Sequence, residues 1–176
     1  LVAGMTAIGA LLITALSLTH RFYQPDVAVL ALALAGACIG FLIFNIAPAR
    51  IFLGEGGSTL CGFLLGILAI ISGGKIATAL LVLGVPAVDV AIVMVTRLWR
   101  HGTPFAADRS HLHFRLLDLG FSPRAAVLVF WAIAAAFGTM TLFLQAFAKF
   151  IALGVLAAVA VLLSVIAAAR TRRKNE

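Results

Sequence analysis

Acidic side chains are scarce in this 176-residue chain, which has six Asp and Glu residues against thirteen Lys and Arg residues. Charged residues make up 11% of the sequence and hydrophobic residues 64%, whereas a soluble domain is usually about a quarter charged and half apolar. The composition therefore excludes an ordinary soluble fold. The net charge of +7 does not indicate nucleic-acid binding, because the bases flank apolar runs instead of forming one face of a soluble domain.

Cysteine is almost as rare, with only Cys38 and Cys61, and both lie within or beside apolar runs. This excludes the paired framework of a small secreted disulfide protein and predicts two small core residues. The start of the chain also lacks a charged segment, a short apolar core and a small-residue cleavage site. Because the first residue is Leu1 and not Met, we expect the natural N-terminus to lie upstream.

Apolar runs of roughly 20 residues recur along the chain, and each can cross about 30 Å of hydrocarbon at 1.5 Å per residue. They predict an all-α, polytopic transmembrane helix bundle of about six spans that forms one membrane domain over residues 1–176. The predicted spans are Leu1–Leu18, Val27–Ile46, Ser58–Ser72, Ile76–Val95, Ala125–Leu144 and Phe150–Ala169. The third is short and rich in Gly, which is typical either of close helix packing or of a helix broken around a site.

Basic residues predict the orientation, because Lys and Arg concentrate on the cytoplasmic side of a membrane. If residue 1 is cytoplasmic, 10 of the 13 basic residues are cytoplasmic and only Arg21, Lys75 and Lys149 lie outside. We therefore expect both ends of the chain, the loops 47–57 and 99–124 and the basic tail 170–176 in the cytoplasm of a bacterial inner membrane. The tail is interpreted as a topological anchor.

The first cytoplasmic loop ends in Gly54-Glu55-Gly56-Gly57-Ser58, immediately before an apolar run. Glycines allow a tight turn there, and the free N–H groups at a helix start can receive a phosphate. Glu55 could hold a divalent cation beside that phosphate. The spacing alone favours a simpler interpretation, in which Glu55 only stabilises the start of the next helix.

The second loop contains Asp108-Arg109-Ser110-His111-Leu112-His113. A guanidinium and two imidazoles within six residues suit phosphate oxygens. A zinc site is a rival, but two His residues without further nearby ligands fall short of the usual three or four. A basic loop that touches anionic lipid headgroups is an equally good interpretation from composition.

Asp89 lies inside the fourth predicted span, three residues after Pro86. An acid within a membrane is costly and usually faces a bundle interior or a water-filled cavity, and Pro kinks helices. The sequence leaves a catalytic role and a structural pairing open.

These segments resemble the bacterial polyprenyl-phosphate N-acetylhexosamine-1-phosphate transferases, the superfamily that includes phospho-N-acetylmuramoyl-pentapeptide transferase. FNIAPARIFLGEGGSTLCGFLLG is similar to that family's FN-x-x-PA-[KR]-IFMGD-x-GS-x-x-x-GF motif. DRSHLHFRLLDLGFSPRAAVLVFW is similar to its D-R-x-H-[IL]-HH-R-L-x-x-x-G segment and the aromatic helix that follows. The opening LVAG resembles the residues just after the family's N-x-x-D-G-x-D-G-L sequence. The resemblance covers this whole chain but only the latter half of the family's fold.

The chain departs from the family pattern at three positions. Glu55 stands in place of a metal-binding Asp, Gly56 in place of a common Thr, Ser or Val, and Phe114 in place of the last His of His-x-His-His. The longer Glu side chain requires Mg²⁺ to shift or the loop to relax. The family's DD-x-x-D and Asn/Asp-rich motifs would precede residue 1.

The resemblance implies transfer of N-acetylhexosamine-1-phosphate from a UDP-N-acetylhexosamine to undecaprenyl phosphate with release of UMP. The product would serve cell-envelope polysaccharide, such as lipopolysaccharide, or peptidoglycan precursor synthesis. It implies Mg²⁺ on Glu55, catalytic Asp108, His111 and His113, and substrate contacts from Asn45, Arg109, His111 and His113. The expected partners are these two substrates and the lipid bilayer, with no nucleic acid and with a homodimer left open. A small transporter that uses Asp89 and a broken third span, or a non-catalytic scaffold, are the rival functions.

Overall fold

A computed structural model of the chain describes residues 1–19, 23–72, 75–101, 111–143, 148, 151–159 and 161–162. Within these ranges the side chains of residues 85, 95–101, 113 and 115 are not part of the description. The described residues are helical or lie in turns and contain no strand. The all-α prediction is confirmed for this part of the chain.

Residues 1–143, as far as the structure describes them, form six helices in succession. They are α1 (Val2–Ser17), α2 (Pro25–Asn45), α3 (Gly54–Ile71), α4 (Ile76–His101), α5 (Leu112–Asp118) and α6 (Pro123–Phe143). Residues 151–159 are also helical. The predicted loop 99–124 is therefore only partly a loop, because α4 continues to His101 and α5 forms within it.

Helix α1 is the centre of the bundle and packs against α2, α3, α4 and α6. Its sequence is rich in Ala, Gly and Thr, and such small residues let neighbouring backbones approach closely. The same principle applies on α6, where a Cβ added to Gly138 would lie 2.3 Å from Leu12 Cδ1. Cys38 and Cys61 are buried free cysteines beside Ala7, as predicted.

The peripheral helices bury one narrow stripe and expose large apolar side chains elsewhere. On α2 only Ala28, Ala31, Ala35 and Cys38 are buried, a spacing of three and four residues that lines one helix face. Val29, Leu30, Ile39 and Ile43 on the same helix are exposed. An apolar outer surface of this kind fits a hydrocarbon environment.

Among the described residues, three helices, α2, α3 and α6, are long and apolar enough to cross a membrane. A fourth is added if the two arms of α4, Ile76–Gly84 and Pro86–Met94, are counted as one bent span. Helix α1 has 16 residues, fewer than the roughly 20 that a span needs. Of the sixth predicted span, Phe150–Ala169, only residues 151–159 and 161–162 are described, and the tail 170–176 lies outside the described residues. Six spans therefore stay a prediction.

The break in the helices lies in α4 and not in the Gly-rich third span. Helix α3 is continuous from Gly54 to Ile71, so it begins four residues before the predicted Ser58. The two arms of α4 meet at an angle of 66° around Pro86, because proline lacks the N–H that the helix ladder needs. The transporter hypothesis required a broken third span, and α3 is not broken.

The bundle has two ends at which polar contacts lie. At one end, which we call the Lys75 end, the Lys75 ammonium donates to Ser17 Oγ at 2.8 Å and joins the start of α4 to the end of α1. At the other, which we call the His111 end, lie the start of α1, the α2–α3 loop, α5 and the start of α6. The Trp131 indole of α6 donates there to the Leu1 carbonyl at 3.1 Å.

Candidate functional site

The α2–α3 loop is held at the His111 end by hydrogen bonds from the end of α2. The Asn45 amide donates to the Ile51 carbonyl at 2.9 Å, and the Arg50 N–H donates to the Phe44 carbonyl at 2.8 Å. These bonds close the loop into a compact turn. Asn45 therefore braces the loop, and the substrate contact that the resemblance implies for it stays a prediction.

Helix α3 begins with the Gly-rich motif, and Gly54 has a φ of 69°. This left-handed conformation is readily adopted by Gly, which explains why the turn into the helix carries a glycine. Glu55 follows in the first turn of α3 and is exposed. The Ser58 hydroxyl donates back to the Gly54 carbonyl at 2.6 Å, so the turn is closed without the Glu55 carboxylate.

A second contact joins the α2–α3 loop to α6, because the Arg124 guanidinium donates from Nε to the Ala47 carbonyl. The last residue of segment 99–124 therefore contacts segment 47–57 at one end of the bundle. The cytoplasmic location of the two segments stays a prediction. A cavity of about 190 Å³ opens beside this contact. Its walls are mainly apolar, and Asn45 and Arg124 supply its polar groups; the other lining residues are Leu1, Leu42, Ile46, Ala47, Pro123, Val127, Leu128 and Trp131.

His111 immediately precedes α5 and contacts the buried acid of α4. Its Nδ1 lies 3.0 Å from Asp89 Oδ2, and the Leu112 N–H donates to Asp89 Oδ1 at 2.8 Å. Asp89 is only 6% exposed, whereas the His111 side chain is 26% exposed. Each carboxylate oxygen of Asp89 thus holds one group at the start of α5.

A second cavity of about 190 Å³ lies beside this pair and is lined by Leu1, Pro86, Asp89, Val90, His111 and Phe130. Leu1 lines both cavities, so the cavity of Asn45 and Arg124 and the cavity of His111 are neighbours. Glu55 lines neither of these two cavities. A shared phosphate and metal site would need His111 or His113 close to Glu55, and this closeness stays a prediction.

Other predicted site residues are only partly covered by the structure. Asp108 and Arg109 lie outside the described residues, and His113 is described by its backbone in α5 but not by its side chain. Within the described ranges, no group of three or more His, Cys, Asp or Glu side chains could hold a metal ion.

Sequence reasoning missed two relationships. It singled out Asp89 but could not name its partner, which lies 22 residues away beyond a polar loop. It counted Arg124 only as a topological base, although Arg124 holds the α2–α3 loop. The sequence feature that could have indicated this contact is the position of Arg124 in Ser122-Pro123-Arg124, just before a predicted span.

Residues 1–73 match the model of the glycosyl transferase family 4. The chain is 37% identical to a decaprenyl-phosphate N-acetylglucosaminephosphotransferase of Mycolicibacterium smegmatis, over 82% of this chain and 40% of that protein. It is 30% identical to a probable undecaprenyl-phosphate N-acetylglucosaminyl 1-phosphate transferase of Bacillus subtilis, over 95% of this chain and 48% of the relative. It is 35% identical to a phospho-N-acetylmuramoyl-pentapeptide-transferase of Moorella thermoacetica, over 76% of this chain and 42% of the relative. No solved structure gives a significant match.

These relatives confirm the resemblance that the two motifs carry. The chain belongs to the superfamily of polyprenyl-phosphate hexosamine-1-phosphate transferases. It spans less than half the length of these three relatives.

Proposed function

We propose that this chain forms one part of a membrane enzyme that transfers N-acetylhexosamine-1-phosphate from a UDP-sugar to undecaprenyl phosphate. The carrying observation is that Arg124, at the start of the helix that follows the second motif, contacts the Ala47 carbonyl within the first motif. The relatives named above as transferases of N-acetylglucosamine phosphate support the same class of reaction.

In the proposed reaction, an oxygen of the lipid phosphate attacks the β-phosphorus of the UDP-sugar. A new P–O bond forms, and the bond from the β-phosphorus to the bridging oxygen breaks. The bridging oxygen and its electron pair leave with UMP, and the sugar phosphate stays on the lipid as a diphosphate. Several negative charges meet in this step, so catalysis depends on positioning and on cationic or hydrogen-bonding groups.

His111, His113 and Arg109 are proposed to contact the pyrophosphate oxygens, with Asp108 bracing the same segment. His111 has the placement this needs, because its ring lines a cavity and is partly exposed. A planar guanidinium such as that of Arg109 suits two phosphate oxygens at once. The site would lie on the cytoplasmic side of the inner membrane, where UDP-sugars are made.

The lipid acceptor is proposed to bind in the cavity of Asn45 and Arg124, which neighbours the cavity of His111. Leu42, Val127 and Leu128 give that cavity apolar walls that suit an isoprenoid chain. Asn45 and Arg124 lie at the same cavity and suit the anionic head of such a lipid. An amphiphile with a phosphate head and an apolar tail matches both kinds of wall.

Glu55 fits a Mg²⁺ site of the usual kind, in which one or two carboxylates act together with water and substrate phosphates. It is exposed at the His111 end of the bundle, and the turn around Gly54 does not use its carboxylate. Bound Mg²⁺ would supply charge neutralisation for the diphosphate. With one carboxylate in the first loop, the site would need further acids from a segment that carries the DD-x-x-D motif.

UMP release from UDP-N-acetylglucosamine with undecaprenyl phosphate tests the proposal, in membranes that hold either this chain or the chain joined to an upstream half with the acidic motifs. We expect turnover only in the joined protein and its loss with a chelator. Turnover by the 176-residue chain alone would refute the incomplete-site argument. A joined protein without turnover, although folded and inserted, would favour the scaffold function.

A further inference from the structure

Asp89 is an internal acid whose partner becomes visible only in the fold. It lies on the second arm of α4, three residues after the bend at Pro86, and is 6% exposed. The bend brings this arm against the start of α5, where Asp89 contacts His111 and Leu112. A buried carboxylate is costly without hydrogen-bond donors. His111 and the Leu112 N–H, at the start of α5, are the groups that contact it.

The two contacts of Asp89 determine which nitrogen of the His111 ring carries the hydrogen. The Leu112 backbone N–H is always a donor, so Asp89 Oδ1 is an acceptor at 2.8 Å. If the carboxylate is ionised it can only accept, and the His111 Nδ1 at 3.0 Å must then carry the hydrogen. In its neutral form the ring therefore presents Nε2 as the nitrogen with a lone pair.

We propose that Asp89 is a positioning residue that holds the His111 ring in the Nδ1–H tautomer, so that Nε2 is the nitrogen that takes up a proton and then donates to the reacting phosphates. The last part of this statement rests on the proposed function, whereas the tautomer does not. The ring is also fixed in place, because the backbone of the next residue is bound to the same carboxylate. A partner of this kind commonly sets both the tautomer and the orientation of a functional histidine.

A purely structural interpretation makes Asp89 only an anchor for α5 through the Leu112 N–H. The variant Asp89→Asn separates the two interpretations, because Asn has the same shape and keeps an acceptor oxygen for Leu112. Its Nδ2 then faces His111 Nδ1 as a donor, which requires Nδ1 to lose its hydrogen. The tautomer of His111 should reverse to Nε2–H while α5 stays docked.

The experiment is nitrogen NMR of the ¹⁵N-histidine-labelled chain in lipid nanodiscs, at a pH well above the ordinary titration range of histidine. The variant His111→Gln identifies the His111 signals among the four histidines. We expect the Nδ1–H form in the unaltered chain and the Nε2–H form in Asp89→Asn, with unchanged signals from the other three. The Nε2–H form in the unaltered chain, or an unchanged tautomer in a folded Asp89→Asn, would overturn the proposal.

The unaltered chain tests the tautomer even if Asp89→Asn does not fold, and neither readout requires transfer activity. Failure of the transferase proposal would therefore leave the tautomer result standing. In an active joined protein, Asp89→Asn should lower kcat by about tenfold to a hundredfold, the usual cost of losing the partner of a functional histidine. A reversed tautomer with unchanged kcat would mean that Asp89 orients a ring that turnover does not use.

Discussion

In the part of the chain that the structure describes, each end of the bundle buries one charged side chain, and the two have different kinds of partner. At the Lys75 end, Lys75 is 5% exposed and donates to a serine hydroxyl at the end of α1. At the His111 end, Asp89 is 6% exposed and holds a histidine that also lines a cavity. The two side chains are thus buried to a similar extent, and they differ in the chemistry of the partner that each one contacts. The serine hydroxyl only joins the ends of two helices, whereas an oriented imidazole can bind a ligand or transfer a proton.

The largest expected contrast between the two ends is their exposure to reagents outside a cell. In a background with Cys38→Ala and Cys61→Ala, single cysteines at Ala49 and Gly102 should label in sealed inverted vesicles and stay unlabelled in intact cells. The basic residues around both loops favour the cytoplasm. A cysteine introduced at Gln24, at the Lys75 end, is the matched control and should show the opposite pattern. Labelling of Ala49→Cys from outside intact cells would overturn the orientation.

The next contrast compares two acids that occupy the same local position. Glu55 lies in the first turn of α3 at the His111 end, and Asp26 lies in the first turn of α2 at the Lys75 end. Both are exposed, and each stabilises its helix start by about 0.3–1 kcal/mol through the helix dipole. Only Glu55 is proposed to hold Mg²⁺.

In the joined protein, Glu55→Ala should therefore abolish UMP release, and Glu55→Asp should preserve or raise it because Asp is the usual ligand of the family. Asp26→Asn should leave turnover unchanged. Equal, small effects of Glu55→Ala and Asp26→Asn on turnover would reduce Glu55 to a residue that only stabilises its helix.

The histidines give a smaller contrast. His113→Ala should lower kcat by about a hundredfold, the usual loss when one donor to developing charge is removed. His20 lies beside Arg21 in the predicted outside loop, so His20→Ala is the matched control and should have no effect on turnover. An equal loss in both variants would show that histidine substitution damages the fold and not the site.

The sequence predicted the helical class and the approximate start of most helices. These follow from apolar run length and from the positions of Arg and Lys, which are local signals. The predicted start of α3 was wrong because the Gly-rich motif, interpreted as a loop, forms the first helical turn after Gly54. The pairing of Asp89 with His111 depends on the direction of the α4 bend, and a single proline predicts a kink but not its direction.

The smallest effect is expected for the buried lysine at the Lys75 end. Lys75→Met keeps a side chain of similar length and removes both the charge and its hydrogen bond to Ser17 Oγ. Loss of a hydrogen bond to a charged group costs about 1.5–3 kcal/mol, whereas relief from burying a charge offsets most of that cost. The expected net change in stability is about 1 kcal/mol or less.

Thermal unfolding of the detergent-solubilised chain measures this change, and the kcat of the joined protein should stay the same. Ser17→Ala is the companion variant, because it removes the acceptor and leaves the buried ammonium without its serine partner. It should destabilise more than Lys75→Met, since an incompletely paired buried charge costs more than an apolar replacement. Loss of turnover in a folded Lys75→Met protein would mean that both buried charges serve the reaction, and the contrast between the two ends would not hold.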